Sequence, residues 1–221
     1  MTQPPFCFPD GGRIRFTRGE KRLRCPPVSA PTNRLFPSTV SASRRVWLAA
    51  LALSLAALAA YHNTFAVPFL FDDVPAILEN PAIRRLWPFG TDQPGGLTTS
   101  GRPMVGFSLA LNYLWHGHAL GGYHAVNLAI HVGAGLLLLG VVRRTLLMPP
   151  WRERFGAEAL PLALGVAGCW TLHPLQTESV TYLVQRAESL AGFFYLATLY
   201  AFIRSIGATH PTRWRGLAVV S

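Results

Sequence analysis

Four apolar stretches separated by polar loops follow the first 45 residues of the chain. They lie at about residues 46–66, 123–143, 158–173 and 180–203. A helix needs roughly 20 apolar residues to cross a hydrocarbon core about 30 Å thick. The pattern therefore predicts an all-α, multi-spanning membrane helical bundle with about four transmembrane helices. The third stretch predicts a short span, and the fourth predicts one continuous helix.

The segment between the first two stretches, residues 67–122, is a polar loop punctuated by Pro and Gly. Its one apolar run, residues 104–115, is too short to cross a bilayer. We expect short helices in this loop, with residues 104–115 lying along the membrane interface.

The distribution of charge predicts the topology of the chain. Lys and Arg total 20 against 10 Asp and Glu, and only 14% of residues are charged. The basic residues cluster before residue 46, at 143–154 and at 204–215, beside apolar stretches rather than in a nucleic-acid-binding patch. The positive-inside rule then places both termini in the cytoplasm and loop 67–122 outside, on the same side as residues 173–178.

The two ends of the chain set its domain organisation. Residues 1–45 are rich in Pro and Arg without a helical period, and they predict a disordered basic cytoplasmic tail. Residues 46–221 form the membrane domain, and "GLAVVS" at the end has the composition of a further span. We therefore expect a fragment of a multi-pass integral membrane protein. A secretory signal is the alternative for the first stretch, although the later apolar stretches favour a retained span.

Acidic residues are scarce, yet three of them fall in "FLFDDVPAILENP": Asp72, Asp73 and Glu79. Asp73 stands where a helix N-cap would stand, just before Val74-Pro75. An Asn at position 73 would keep such a cap. Capping uses only one carboxylate of the pair, so the other is available as a general base.

A second polar cluster lies near the outer end of the fourth stretch and comprises Glu178, Gln185, Arg186 and Glu188. On a continuous helix, Tyr182, Arg186 and Ser189 would share one face. Two interpretations stay open. The cluster is either a structural ion pair that fixes the helix end, or a pocket for an anionic ligand with Arg186 on a phosphate.

The histidines raise a metal or haem site as a rival hypothesis: His116, His118, His124 and His131. The first two point to different faces of any helix, and the last two are about 10 Å apart along a helix axis. No HExxH box, glycine-rich nucleotide loop or GxSxG elbow occurs, and the three cysteines form no CxxC pair. We therefore predict no metal and no cofactor.

Three blocks carry a resemblance: "YHNTFAVPFLFDDVPAILENPAI", "GRPMVGFSLALNYLWHGHALGGYHAVNLAIH" and "LHPLQTESVTYLVQRAESLAGFFYLATLYAF". In this order they resemble the N-terminal membrane region of the tetratricopeptide-repeat transmembrane O-mannosyltransferases and their bacterial relatives. The match covers about residues 61–204. It implies a GT-C-like glycosyltransferase that moves a sugar from a polyprenyl-phosphate donor to a protein hydroxyl on the outer face.

The resemblance also implies roles for individual residues. An acidic pair in the first outer loop supplies the catalytic base of such enzymes, and Asp72 and Asp73 occupy that place. The positions that would surround the donor phosphate and sugar are Arg102, His173, Gln176, Glu178, Gln185, Arg186 and Glu188.

Two functional classes remain open from the sequence. In the first, the chain is part of a glycosyltransferase and is inactive alone, because the family continues with further spans and a repeat array. In the second, it is a non-catalytic membrane anchor or scaffold for a C-terminal tetratricopeptide-repeat domain. Only the first requires the "FDD" acids to meet the 173–188 segment at one site.

Overall fold

The computed structural model describes residues 42–86, 101–206 and 211–220, and these ranges contain helices and no strand. The α-helices are α1 (Ala42–Ala60), α2 (Pro103–His116), α3 (Leu120–Leu146), α4 (Pro149–Phe155), α5 (Ala159–Thr171), α6 (Gln176–Thr181), α7 (Arg186–Ile206) and α8 (Pro211–Val220). Short 3₁₀ turns cover His62–Ala66, Pro81–Arg84 and Leu183–Gln185, and Val74–Leu78 is a turn of π-helix. The all-α prediction is confirmed.

In the described ranges, three helical segments are long and apolar enough to cross a membrane: Ala42–Ala60, Leu120–Leu146 and Leu183–Ile206. Helix α5 is also apolar but has 13 residues. At about 1.5 Å per residue it is about 20 Å long, less than a hydrocarbon core. A span at the third apolar stretch, residues 158–173, therefore stays a prediction. The predicted disordered tail comprises residues 1–45, and its residues 1–41 lie outside the described ranges. Residues 42–45 are helical and form the start of α1.

Helix α3 is the centre of the bundle, and α1, α5 and α7 pack against it. Small residues permit this close packing. A side chain at Gly140 would place its Cβ 2.6 Å from the ring of Tyr200, and one at Gly133 would lie 2.9 Å from Phe193. These two glycines therefore fix how closely α7 approaches α3.

The outer loop packs over one end of the bundle through its own buried residues. Ala76, Ile77 and Ile83 join a core cluster with Leu109 of α2 and Leu183. Buried Asn80 holds the connection together: its side chain accepts from Ala82 N at 2.9 Å and donates to Ala76 O at 3.1 Å. The loop is thus a packed element of the domain.

The fourth apolar stretch is not one continuous helix, contrary to the prediction. Helix α6 ends at Thr181, Tyr182 is extended (φ −82°, ψ 113°), and α7 begins at Arg186 after a 3₁₀ turn. Tyr182 and Arg186 therefore do not share a helix face. The break persists because a backbone N–H that it frees, that of Val184, finds an acceptor in the outer loop at Asp73 Oδ1, 2.9 Å away.

Candidate functional site

The "FDD" segment is a strained turn that sends its two acids in opposite directions. Phe71 has φ 39°, a left-handed conformation that costs a non-glycine residue about 1–3 kcal/mol. Its side chain is exposed, and the turn closes with the hydrogen bond from Asp73 N to Leu70 O at 2.8 Å. Asp72 is exposed on one side of this turn, whereas Asp73 is 1% exposed on the other.

The Asp73 carboxylate ties the outer loop to the break before α7. Its Oδ2 accepts from Leu70 N at 3.0 Å, and its Oδ1 accepts from Val184 N at 2.9 Å. Burial raises the pKa of this carboxyl, against the lowering effect of the backbone donors. The predicted N-cap is wrong: the side chain makes no cap hydrogen bond, because both oxygens are turned away from the Val74–Leu78 turn.

Because Asp73 makes no cap hydrogen bond, the expectation that an Asn at position 73 would keep a cap no longer applies, and we expect a larger effect of this substitution. An amide offers one oxygen, so Asp73→Asn directs an NH₂ group at one of two backbone N–H donors and leaves that donor unpaired. We expect a loss of about 1–3 kcal/mol in the free energy of unfolding. Denaturant unfolding of the purified chain in detergent measures it, with exposed Glu79→Gln as the matched control.

A comparison of the parent with Asp73→Asn also gives a test of pH dependence with a defined sign. A raised pKa means that the folded state binds the Asp73 proton more tightly than the unfolded chain does. The stability of the parent relative to Asp73→Asn should therefore fall as the pH rises from about 4 through the raised pKa, and then level off. A rise in that range would contradict the assignment.

Asp72 meets Tyr182, the residue at the break between α6 and α7. Asp72 N donates to Tyr182 Oη at 3.1 Å. The pKa of the Tyr182 phenol is raised, first by burial and then by the neighbouring carboxylates of Asp72 and Asp73, so the hydroxyl keeps its proton. With the Asp73–Val184 bond, this contact confirms that "FDD" and the 173–188 segment lie at the same end of the bundle.

Four of the remaining candidates form two side-chain pairs. Arg102 Nη1 lies 3.7 Å from Glu188 Oε1, with 49% and 63% of the two side chains exposed. Gln185 Nε2 donates to Glu178 Oε1 at 3.3 Å.

His173 and Gln176 are joined to each other by a backbone hydrogen bond of 2.9 Å. The structure brings neither of them into hydrogen-bond contact with the other candidates among the residues that it describes. His173 Nδ1 instead accepts from Leu175 N at 3.2 Å.

Arg186 differs from the other candidates because its side chain is fully buried. Its guanidinium donates hydrogen bonds to four neutral oxygens: Asn127 Oδ1 at 2.7 Å, Asn112 Oδ1 at 2.9 Å, Tyr123 O at 3.1 Å and Ser108 O at 3.3 Å. These bonds use four of its five N–H groups and join α2, α3 and α7. In this structure Arg186 therefore contacts protein oxygens and presents no surface to a ligand.

Comparison with known proteins identifies relatives of the chain. It is 29% identical over 201 residues to Drosophila melanogaster "Protein O-mannosyl-transferase Tmtc3", covering 82% of the chain and 22% of that protein. It is 30% identical over 171 residues to human "Protein O-mannosyl-transferase TMTC3" (73% of the chain, 17% of that protein). Drosophila melanogaster Tmtc2 is 34% identical over 166 residues (70% and 16%). The chain is related to the TMTC protein O-mannosyl-transferases.

The TMTC relationship covers most of this chain but only about a fifth of the length of those relatives. No family model matches the chain, and no solved structure matches it. The resemblance on which the "FDD" assignment depends is thus supported by sequence relatives named for O-mannosyl transfer.

The histidines of this TMTC relative have structural partners. His124 Nε2 donates to Val67 O at 3.0 Å, and His131 Nε2 donates to Thr171 O at 2.9 Å. His116 Nδ1 lies 3.4 Å from Asn112 Nδ2. Within the described ranges, no three His, Cys, Asp or Glu side chains are grouped to hold a metal ion. The two buried histidines connect α3 to the outer loop and to α5.

Sequence reasoning missed three residues of the site: Tyr182 as the partner of Asp72, and Asn112 and Asn127 as the partners of Arg186. The asparagines gave a signal, since each is a polar residue within an apolar helix, where buried polar groups need partners. The contact of Tyr182 with Asp72 could not be predicted, because nothing in the neighbouring residues indicates the helix break that makes it possible.

Proposed function

We propose that the chain forms part of a membrane glycosyltransferase of GT-C-like architecture, with Asp72 as its general base. The enzyme transfers a sugar, mannose by relation to the TMTC proteins, from a polyprenyl-phosphate donor to a protein hydroxyl. The observation that carries the proposal is the different environment of the two acids of "FDD". Asp73 is buried and bonded to the backbone, whereas Asp72 is exposed and meets a phenol at the polar end of the bundle.

The proposed chemistry needs one proton acceptor and one cation. Asp72 takes the proton of the acceptor hydroxyl as its oxygen attacks the anomeric carbon, and the polyprenyl phosphate leaves with the electron pair of the glycosidic bond. A carboxylate held close to the hydroxyl suits this role. Tyr182 positions Asp72 by accepting its backbone N–H.

Arg102 is the cation that suits the leaving phosphate in this proposal. Its bond to Glu188 is long and both side chains are half exposed, so the ion pair is weak and the guanidinium can exchange a carboxylate for a phosphate. Glu178, Gln185 and Glu188 then face sugar hydroxyls, and His173 and Gln176 complete the rim. Arg186 does not contact the donor in this proposal; its hydrogen bonds to α2 and α3 hold the start of α7 in place.

The proposed site faces the outer side of an inner membrane, with the N-terminus of the chain in the cytoplasm. Arg143, Arg144 and Arg204 lie at the other ends of α3 and α7, where cytoplasmic basic residues are expected. The outer side is also where a lipid-linked donor and a translocated protein acceptor can meet.

A transfer assay tests the function. The full-length protein in proteoliposomes is given polyprenyl-phosphate mannose or a nucleotide-linked mannose, with a Ser/Thr-rich acceptor peptide. We expect transfer from the polyprenyl donor, none to the same peptide with Ser and Thr replaced by Ala, and none by residues 1–221 alone. Absence of transfer by the full-length protein from polyprenyl-phosphate sugars would favour the scaffold alternative, and transfer from the nucleotide sugar alone would refute the donor assignment.

A further inference from the structure

Two adjoining cavities lie at the end of the bundle opposite the candidate site. A groove of about 470 Å³ runs between α1, α3 and α7, along Ala50, Leu136, Gly140 and Phe193. A second cavity of about 400 Å³ lies between α1, the end of α3 and the start of α5, and includes Arg45 and Leu160. Val46 and Arg143 line both cavities, so the two cavities adjoin at these side chains.

The two cavities differ in chemistry in the way that the two ends of a lipid differ. The groove walls are mostly aliphatic and aromatic side chains along the membrane-spanning part of α3. The second cavity is bounded by Arg45, Arg143 and the turn around Gly156, beyond the apolar part of the helices. An amphiphile therefore fits with its chain in the groove and its headgroup in the second cavity.

The position of Arg143 along α3 also suits a lipid headgroup. His124, which contacts the outer loop at Val67, and Arg143 are both in α3. Their separation along the axis is about 28 Å at about 1.5 Å per residue. This distance is close to the thickness of a hydrocarbon core, so Arg143 lies at the level of headgroups when the outer loop lies at the opposite interface.

Within the part of the chain that the structure describes, the arginines at the boundary have no anionic partner. Among the described residues, neither Arg45 nor Arg143 has a carboxylate within ion-pair distance, and the ion pair found is that of Arg102 with Glu188. Arg143 is half-buried, and a guanidinium withdrawn from water gains from a nearby anion. The adjacent Arg144 has a different contact: its guanidinium carbon lies over the ring of Tyr200, 5.4 Å from the ring centre.

We propose that these cavities form a binding site for one acidic glycerophospholipid, with an acyl chain in the groove and the phosphate between Arg143 and Arg45. Basic pockets between transmembrane helices are typical sites for anionic lipid headgroups. A further apolar helix in the groove would leave half-buried Arg143 without an anion, so charge complementarity favours the lipid as the occupant.

The test uses the purified chain in a neutral detergent and compares phosphatidylglycerol with phosphatidylcholine of identical acyl chains. Native mass spectrometry measures bound lipid, and thermal unfolding measures stabilisation. We expect phosphatidylglycerol to bind about tenfold more tightly or better, because each arginine near an anionic headgroup contributes about 1 kcal/mol. Arg143→Gln should reduce the preference for phosphatidylglycerol by about fivefold, and Arg143→Lys should restore most of it.

The controls separate this site from general attraction of a basic protein to anionic lipid. Arg152→Gln, an exposed change in α4 at the same end, should keep the full preference. Ala50→Leu fills the groove without a change in charge and should weaken both lipids. If Arg143→Gln does not fold, Arg45→Gln makes the same test from α1.

Three results would overturn the proposal. One is equal binding of the two lipids by the parent chain, and another is an equal effect of Arg152→Gln and Arg143→Gln. The third is binding of polyprenyl phosphate that depends on Arg143 while phosphatidylglycerol does not bind, which would assign the cavities to the donor lipid.

Discussion

Asp72→Asn should lower sugar transfer by the full-length protein about 10²- to 10⁴-fold, the usual loss when a general base is removed. The substitution keeps the size of the side chain and removes its capacity to accept a proton. Because Asp72 is exposed and its hydrogen bond to Tyr182 uses the backbone N–H, the fold should be unaffected. Initial rates with a polyprenyl-phosphate sugar, at equal membrane abundance, give the measurement.

Two further measurements distinguish loss of the base from loss of binding. Donor binding should be unchanged in Asp72→Asn, so the effect should appear in kcat rather than in KM. Glu79→Gln removes another exposed acid of the same segment and should retain the parental rate. Parental activity in Asp72→Asn would mean that both acids of "FDD" serve the structure and that the proposed mechanism is wrong.

The main helices could be predicted from the sequence because apolar stretches of the required length determine them. The predicted spans 46–66, 123–143 and 180–203 correspond to the apolar segments Ala42–Ala60, Leu120–Leu146 and Leu183–Ile206. The differences lie at the ends, where caps and tertiary contacts decide the last turns. Proline at position 103 and glycine at 117, with φ 57°, likewise set the bounds of α2.

The break at Tyr182 could not be predicted, because its cause lies elsewhere in the chain. "TESVTYLVQRAES" contains no Pro or Gly, and its local composition allows a continuous helix. The break depends on the Asp73 carboxylate, which pairs with Val184 N across 111 positions of sequence. The same contact changed Asp73 from an expected local cap into a long-range tie.

The environments of the candidate residues were decided by the same kind of contact. The sequence singled out Arg186 as a polar residue in an apolar stretch, and both of its interpretations assumed an anionic partner. In the structure, buried asparagines of α2 and α3 supply neutral oxygens instead. Only the packing of three helices around one guanidinium could show this, since Asn112 and Asn127 are distant in the sequence.

Arg186→Met should reduce the free energy of unfolding of the chain by about 2–5 kcal/mol, because it leaves buried side-chain oxygens without a donor. Methionine has a similar length but donates no hydrogen bond. The side-chain oxygens of Asn112 and Asn127 would lose their donor while remaining buried, and each unpaired buried group costs about 1–3 kcal/mol, not fully additively. Unfolding in mixed detergent micelles gives the value.

The origin of this effect can be tested by removing the acceptors as well. If unpaired oxygens cause the loss, Asn112→Leu and Asn127→Leu should recover a part of it when combined with Arg186→Met, because apolar replacement of both partners removes the desolvation cost. Each asparagine change alone should destabilise the parent, since it leaves a buried guanidinium underpaired.

Arg152→Met, at an exposed position, should change the stability by no more than about 0.5 kcal/mol. A loss as small as that in Arg186→Met would show that the guanidinium does not hold α2, α3 and α7 together, and would free Arg186 for the ligand role that its burial now argues against.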